Sequence, residues 1–205
     1  MKSTHVRDEE EKKSKRQNIL EAAFVIFSEK GFHRATIDEI IALADTGKGT
    51  VYNYFINKEQ LFFTLLEERE RASLAKLTEV SQADGDPLLR LEQMIHIQLD
   101  FLRDNTRLWQ ILMHELRALC KGPMANKDEK RREHVRTLFD GRVRLFTKVL
   151  QDGLEAGVVK YADVSGAAYM LFSVIFGTAF GTGGEYDVEE RAAGIKELFF
   201  YGLAR

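Results

Sequence analysis

Apolar residues recur every three to four positions along almost the whole chain, which is the spacing of amphipathic helices. In the first such segment Ile19, Ala23 and Phe27 form one stripe, with Leu20 and Phe24 beside it. No segment shows the strict apolar–polar alternation of a half-buried strand. The pattern therefore predicts an all-α protein. The predicted helices span about residues 14–30, 36–44, 48–55, 57–80, 87–103, 105–120, 127–153, 163–181 and 187–204.

Residues with strong helix-starting and helix-ending preferences separate these segments. Gly31 supplies a left-handed stop after the first helix, and Phe32 can fold back as the apolar contact of such a cap. Thr36, followed three residues later by Glu39, forms a capping box. Asn57 caps the next long helix. Further breaks are predicted at residues 104–105, 122–123, 157 and 183–184.

Residues 36–55 contain two short helices joined by a tight turn and preceded by a third helix, which is the arrangement of a helix-turn-helix. The second helix of such a motif lies in the major groove and needs a polar outer face over an apolar inner face. Val51 and Phe55 stand one turn apart and face inward. The side chains left for the outer face are Lys48, Thr50, Asn53 and Tyr54.

The chemistry of these side chains suits DNA. Lys48 can donate to guanine O6 or N7, and Thr50 offers a hydroxyl and a methyl to a base or to the backbone. Gly49 has no side chain and permits close approach. Thr36 and Lys58 each stand at a helix start, where backbone N–H groups and the helix dipole favour a phosphate.

Three stretches carry a family resemblance: A-A-F-x-x-F-x-x-K-G-F from Ala22, T-I-D-E-I-I-A-L-A from Thr36, and K-G-T-V-Y-N-Y-F-x-N-K-E-x-L from Lys48. They resemble, without a gap, the DNA-binding domain of the TetR (tetracycline repressor) family. The resemblance implies a homodimer with an N-terminal three-helix DNA-binding domain, at residues 12–60. A C-terminal helical domain at residues 61–205 would bind an inducer and form the dimer.

The resemblance also assigns DNA contacts by position. Tyr52, Tyr54 and Lys58 would mainly contact phosphates, whereas Lys48 and Thr50 are, with Asn53, the better candidates for base reading. Partial burial of Tyr52 alongside a phosphate contact is an open alternative. The full set of implied contacts is Thr36, Thr46, Lys48, Gly49, Thr50, Tyr52, Asn53, Tyr54 and Lys58.

One departure from the family lies in the turn. Family members commonly read Gly-Val-Ser where this chain has Asp45-Thr46-Gly47. Glycine caps a helix slightly less well than serine, and we expect the Thr46 hydroxyl to substitute for the missing serine. Asp45 would repel a phosphate, so we expect it to face solvent.

Charge gives the DNA interpretation no support. The chain has a formal net charge of −2, and residues 1–60 hold ten basic and ten acidic side chains. A basic domain is the usual footprint of a DNA-binding protein. Screening limits the range over which each exposed charge acts to about 8 Å at physiological salt. The positions of individual charges near the DNA therefore matter more than the net charge. The basic cluster Lys12, Lys13, Lys15 and Arg16 fits either a DNA-contacting arm or a solvated charge run.

The second half holds polar residues among apolar neighbours, a composition found in ligand cavities. Trp109, Met113 and Leu116 could line such a cavity, with His114 or Arg117 orienting a small lipophilic ligand. For each one, a core or surface role is the alternative. The predicted ligand-binding set is Trp109, Met113, His114, Arg117 and Tyr169.

Other chemistry finds no support in the sequence. His96, His114 and His134 are widely separated and lack partners at metal-ligand spacing. We find no catalytic constellation and no cofactor motif; Gly181 to Gly184 lacks the strand and lysine of a phosphate loop and is predicted to be a turn. Lone Cys120 suits a reducing cytoplasm, and the most apolar stretch, 167–180, is too short to span a membrane.

The last two helices are the predicted dimer face. The segment 167–180 is apolar almost all round, and the final helix carries a stripe that includes Ile195, Phe199 and Leu203. Two helices from each subunit would form a four-helix interface, although both could instead belong to the subunit core. The sequence therefore predicts a homodimeric repressor that binds double-stranded operator DNA and responds to a ligand. An enzyme and a helical adaptor protein are the rival classes.

Overall fold

The computed structural model of this chain describes residues 2–121, 129–181 and 185–201. The predicted all-α class is confirmed, since these residues form helices and contain no strand. The helices are α1 (Lys2–Arg34), α2 (Ile37–Leu43), α3 (Lys48–Tyr54), α4 (Lys58–Gln82), α5 (Pro87–Asp104), α6 (Thr106–Lys121), α7 (Glu129–Glu155), α8 (Val164–Gly181) and α9 (Val188–Lys196), followed by a π-helical segment (Glu197–Tyr201). The chain divides into two compact units, Met1–Arg69 and Glu70–Arg205.

Aromatic packing joins α1 to α4 inside the first unit. The ring of Phe27 lies 5.2 Å from that of Phe62 in an edge-to-face arrangement, and Phe32 packs against both. Such aromatic pairs contribute about 0.5–1.5 kcal/mol each beyond their burial. The surrounding core consists of Ile19, Leu20, Ala23, Ile40, Val51, Phe55, Leu61, Leu65 and Leu66.

The predicted stop after the first helix is present. Gly31 has φ 75° and ψ 171°, a conformation that breaks the helical path inside α1, and glycine adopts it without a Cβ clash. Phe32 then folds back onto Phe27, as the sequence predicted. The start of α1 was not predicted: it begins at Lys2. Glutamate, lysine and arginine, which are strong helix formers, make up most of residues 2–13 and favour this extension.

The turn between α2 and α3 differs from the expectation in one respect. Gly47 is the N-cap of α3 and no side chain caps that helix, so the Thr46 hydroxyl does not replace the family's serine. The Thr46 backbone N–H instead donates to the Ile41 carbonyl at 3.3 Å. Asp45 is exposed and has φ 47°, a left-handed conformation that aspartate tolerates better than most residues.

The second unit has an aromatic centre. Trp109 on α6 is 1% exposed. Its ring meets Phe101, Phe139 and Phe176 edge-on at 5.8, 5.7 and 5.5 Å, and Phe176 lies 4.6 Å from Phe172. These rings come from α5, α6, α7 and α8, so one cluster holds four helices together. No helix among the described residues is long and apolar enough to cross a membrane.

A buried charged group lies beside this centre. The Arg142 guanidinium is 2.8 Å from Glu70 Oε1, donates to Gln98 Oε1 at 3.1 Å and lies 4.9 Å from the Phe101 ring centroid. The side chains of Arg142 and Glu70 are only 1% and 6% exposed. Removing two charges from water is costly and is offset only by good mutual geometry. The group therefore fixes α4, α5 and α7 to one another.

Part of the predicted C-terminal organisation lies outside the described residues. This holds for the breaks at 122–123 and 183–184, for the turn at 182–184 and for Leu203. The final helix was predicted as one span over 187–204, but α9 ends at Lys196 and the chain continues as a π-helical segment. Caps at Asp86 and Asp187 begin α5 and α9, each accepting a bond from a backbone N–H two or three residues on.

Removing one partner of the buried pair should destabilise the second unit strongly. Arg142→Met leaves Glu70 as a buried charge without its guanidinium, and we expect a loss of about 3–5 kcal/mol in the free energy of unfolding. The double variant Glu70→Leu with Arg142→Met should recover most of this loss, because both desolvation penalties vanish. Denaturant unfolding measures both, and a loss below about 1 kcal/mol for Arg142→Met would contradict the assignment.

Glu39 should make the first unit sensitive to acid. The Lys30 ammonium, the Thr36 backbone N–H and the Thr36 hydroxyl lower the pKa of Glu39 from 4.5 to about 2. Because the folded pKa is the lower one, this contribution is complete above pH 4.5 and is lost as pH falls towards 2. The stability difference between wild type and Glu39→Gln should shrink over that window in urea unfolding. A difference that stays constant with pH would be the contrary result.

Candidate DNA-binding surface

Two buried anchors orient the recognition helix α3. Val51 is fully buried and Phe55, directly after the helix, is 2% exposed. Because they lie one turn apart on one face, the opposite face of α3 points away from the core. Lys48, Gly49 and Asn53 are exposed, as predicted, with Asn53 opposite the anchors and Lys48 in the first turn of the helix.

The other predicted DNA contacts near α3 differ in how exposed they are to solvent. Tyr52 is 47% exposed, so about half of the residue is buried and the rest is accessible to solvent. Thr46, Thr50 and Tyr54 are half-buried. A Cβ built at Gly49 would meet no atom within 4 Å, so packing within the protein does not require glycine there.

The predicted capping box at the start of α2 is formed in full. Glu39 N donates to Thr36 Oγ1 at 3.3 Å, and Thr36 N donates to Glu39 Oε2 at 3.0 Å. Lys30 extends the network from α1 by donating to Glu39 Oε1 at 2.7 Å. Thr36 is exposed, and its hydroxyl belongs to the same network with Glu39.

Lys58 makes contacts that the sequence did not indicate. Its ammonium donates to the carbonyls of His33 and Ala35, at 3.2 and 2.9 Å, and lies 4.8 Å from the Phe32 ring centroid. The side chain therefore holds the start of α4 against the end of α1. A phosphate contact by the same ammonium, which the resemblance implies, stays a prediction.

Lys48 forms an ion pair within the motif. Its Nζ lies 3.0 Å from Asp38 Oδ1 on α2, and the two side chains are 63% and 75% exposed. The Asp38 carboxylate raises the pKa of Lys48, first through the hydrogen bond and then through its charge. Sequence reasoning missed Asp38, since ten positions separate the two residues and only the packing of α2 on α3 brings them together.

The motif as a whole is acidic. One lysine and three carboxylates give residues 36–55 a formal charge of −2. Arg16 belongs to the basic cluster predicted near the start of the first helix, but its guanidinium lies 3.4 Å from Glu68 and 6.0 Å from the Phe55 ring centroid. It thus contributes to the packing of the first unit. Residues 36–55 thus do not form a basic patch by themselves.

The structure does not gather the predicted ligand-binding residues into one wall. Trp109 is buried in the aromatic centre, whereas His114 is 76% exposed on the same helix. Met113 is half-buried. Tyr169 is 53% exposed and donates to Asp140 at 3.2 Å. Arg117 lies in α6, and its side chain is outside the described part of the structure.

A different, mostly apolar cavity of about 560 Å³ opens in the second unit. Its floor includes the buried side chains of Leu91, Leu150 and Ala167. The exposed residues Lys160 and Tyr161 also line it. The π-helical segment contributes three consecutive aromatic residues, Phe199, Phe200 and Tyr201. Sequence periodicity could not reveal this cavity, because its lining comes from segments far apart in the chain.

The outer faces of the last helices are partly apolar. Tyr169 and Met170 on α8 are 53% and 48% exposed, and Leu198 and Tyr201 in the π-helical segment are 38% and 65% exposed. The segment 167–180 was expected to be buried on more than one side. In the single chain, α8 buries one face, which includes Leu171 and Ile175, and exposes another face to solvent.

Comparison with known proteins agrees with this architecture. The family model described as "Bacterial regulatory proteins, tetR family" matches residues 19–65, and the model described as "Tetracyclin repressor-like, C-terminal domain" matches residues 84–203. The fatty acid metabolism regulator protein of Bacillus subtilis (strain 168) is 23% identical over 197 residues, which cover 94% of this chain and 97% of that protein.

Two solved structures illustrate the shared fold. The transcriptional regulator FadR from Bacillus subtilis, in complex with stearoyl-CoA, matches with a TM-score of 0.74 and 21% identity, over 92% of this chain and 99% of that one. The TetR family transcriptional regulator PfmR from Thermus thermophilus matches with a TM-score of 0.73 and 22% identity, over 91% and 99%.

The family models cover both units, and what they describe are transcriptional regulators rather than enzymes. The helix-turn-helix identified from the sequence and formed by α2 and α3 falls inside the first match. The chain belongs to the TetR family of DNA-binding transcriptional regulators.

Proposed function

We propose that this regulator is a homodimeric repressor that binds a roughly palindromic operator and is released by a lipophilic small molecule. The observation that carries the proposal is the exposed polar face of α3 above the buried anchors Val51 and Phe55. Lys48, Thr50 and Asn53 would read bases. Phosphates would be held mainly by Thr36, Tyr52, Tyr54 and Lys58, and Thr46 and Gly49 complete the predicted set of DNA contacts. The protein would act in the cytoplasm.

A dimer supplies the two reading heads that a palindrome requires. The half-exposed apolar residues on α8 and the π-helical segment support dimerisation through the last two helices of each subunit. In the dimer, the two recognition helices would lie about 34–36 Å apart, one turn of DNA. A ligand that favours a different separation would lower operator affinity by shifting that population.

Two observations support the proposal that the ligand is lipophilic. The FadR relative from Bacillus subtilis was solved in complex with stearoyl-CoA, and this chain has a mostly apolar cavity of about 560 Å³ in its second unit. That volume lies within the range of ligand pockets, about 300–1,000 Å³. Lys160 at the cavity would attract the anionic end of an acyl ligand. Trp109, Met113, His114, Arg117 and Tyr169 stay candidates for contacts elsewhere in the unit.

DNA selection with the full-length protein tests the repressor proposal. The wild type should enrich a palindromic sequence from a random duplex pool. Lys48→Ala should bind the enriched duplex about tenfold or more weakly and lose discrimination at one base position, because it removes a base contact. Tyr52→Phe, which removes only a hydroxyl, should weaken binding to all sequences alike, and Lys76→Ala on α4 is the matched control. Failure of the wild type to enrich any sequence would favour the rival adaptor class.

Ligand binding should be visible as thermal stabilisation of the free protein. Stearoyl-CoA at about 100 times its dissociation constant should stabilise the fold by about 2.7 kcal/mol, and should release the enriched duplex. Lys160→Met should reduce the stabilisation, since it keeps the apolar stem and removes the charge. Lys76→Met is the control on an exposed lysine. Equal stabilisation of all three proteins would exclude Lys160 from the ligand site.

A further inference from the structure

The recognition helix carries a single charged side chain, and that side chain is engaged within the motif. Lys48 is the one Lys, Arg, Asp or Glu in α3. Its ammonium pairs with Asp38 at 3.0 Å, on a surface where both side chains are mostly exposed. An ion pair so exposed contributes little to folding stability. The ion pair instead affects how much positive charge the motif presents to DNA.

A phosphate and a base edge meet this pair differently. Non-specific binding comes from lysine and arginine charges that neutralise phosphates and release counterions. A phosphate that approaches Lys48 also approaches the Asp38 carboxylate, well inside the screening distance of about 8 Å, and is repelled by it. Guanine O6 and N7 carry no net charge. The carboxylate therefore weakens a phosphate contact of Lys48 much more than a base contact.

The surrounding motif offers little other charge to hold DNA without regard to sequence. Residues 36–55 have a formal charge of −2, and Glu39 is tied to Lys30. Within residues 36–55, Lys48 is therefore the one Lys or Arg that could neutralise a phosphate, and its choice between a phosphate and a base changes the balance between non-specific and specific binding. Natural proteins gain specificity in this way, by penalising the wrong partner as well as favouring the right one.

We propose that Asp38 is a specificity-determining residue, which makes Lys48 a poor phosphate ligand and so reserves it for a base edge. The inference rests on the proposed DNA-reading role of α3. Asp38 need not touch DNA for this effect, because it acts on the electrostatic environment of the lysine. Asp38→Asn keeps the shape of the side chain, removes its charge and so removes the ionic attraction that holds the ammonium.

Asp45 provides a matched control within the same motif. It is an exposed carboxylate in the turn that precedes α3, outside the Asp38–Lys48 pair. Its φ of 47° is one that asparagine adopts readily, so Asp45→Asn should keep the turn. This variant removes one negative charge from the motif without releasing Lys48. Comparison of the two variants separates a general charge effect from the effect on the lysine.

The test uses the full-length protein, the duplex enriched by the wild type and a scrambled duplex of equal length. Fluorescence anisotropy measures both affinities between about 50 and 200 mM salt. For Asp38→Asn, the ratio of the two affinities should fall about tenfold. The slope of log affinity against log salt on scrambled DNA should steepen by about 0.9 for each protomer bound. Adding Lys48→Ala to Asp38→Asn should abolish the steepening.

Two results would overturn the inference. One is an unchanged ratio and slope in Asp38→Asn; the other is the same change in Asp38→Asn and Asp45→Asn, which would indicate net charge alone. Circular dichroism and thermal unfolding of each variant confirm that the fold is intact before affinities are compared. If the wild type enriches no sequence, the proposed function fails instead. If it enriches a sequence and Asp38→Asn behaves like wild type, only this inference fails.

Discussion

Everything that the motif can present to DNA depends on the burial of Val51 and Phe55. A helix of seven residues is unstable in isolation, because nucleation costs more than so few hydrogen bonds return. Helix α3 exists because these two side chains are fixed in the core while the helix packs on α1 and α2. The same burial sets the rotation of α3 about its axis, and so decides which side chains face outward.

Local features of the fold could be predicted from the sequence because their partners lie within one helical turn. The Thr36–Glu39 capping box, the Asn57 cap and the glycine stop at Gly31 are all of this kind. The anchors of α3 were equally predictable, since helical periodicity alone assigns their side. The exception is the turn, where Gly47 leaves α3 without a side-chain cap and Thr46 does not compensate.

Contacts between residues far apart in the sequence could not be predicted, and they shape the candidate sites. The Lys58 ammonium reaches carbonyls 23 and 25 positions earlier, and Arg142 reaches Gln98 over 44 positions. No periodicity encodes such pairs. The residues predicted to bind the ligand do not all lie together, for a related reason. Trp109 and His114 are on one helix but on opposite sides of it, Trp109 in the core and His114 in solvent.

Gly49 occupies a position on α3 where packing within the protein does not require glycine. An alanine there would meet no atom of the surrounding protein, and within helices alanine is generally more stable than glycine. A sequence selected for its own stability would therefore carry a methyl group at this position. If α3 enters the major groove as proposed, the space at Gly49 would admit the DNA, and the free protein would carry the shape of the double helix as a small, permanent loss of stability.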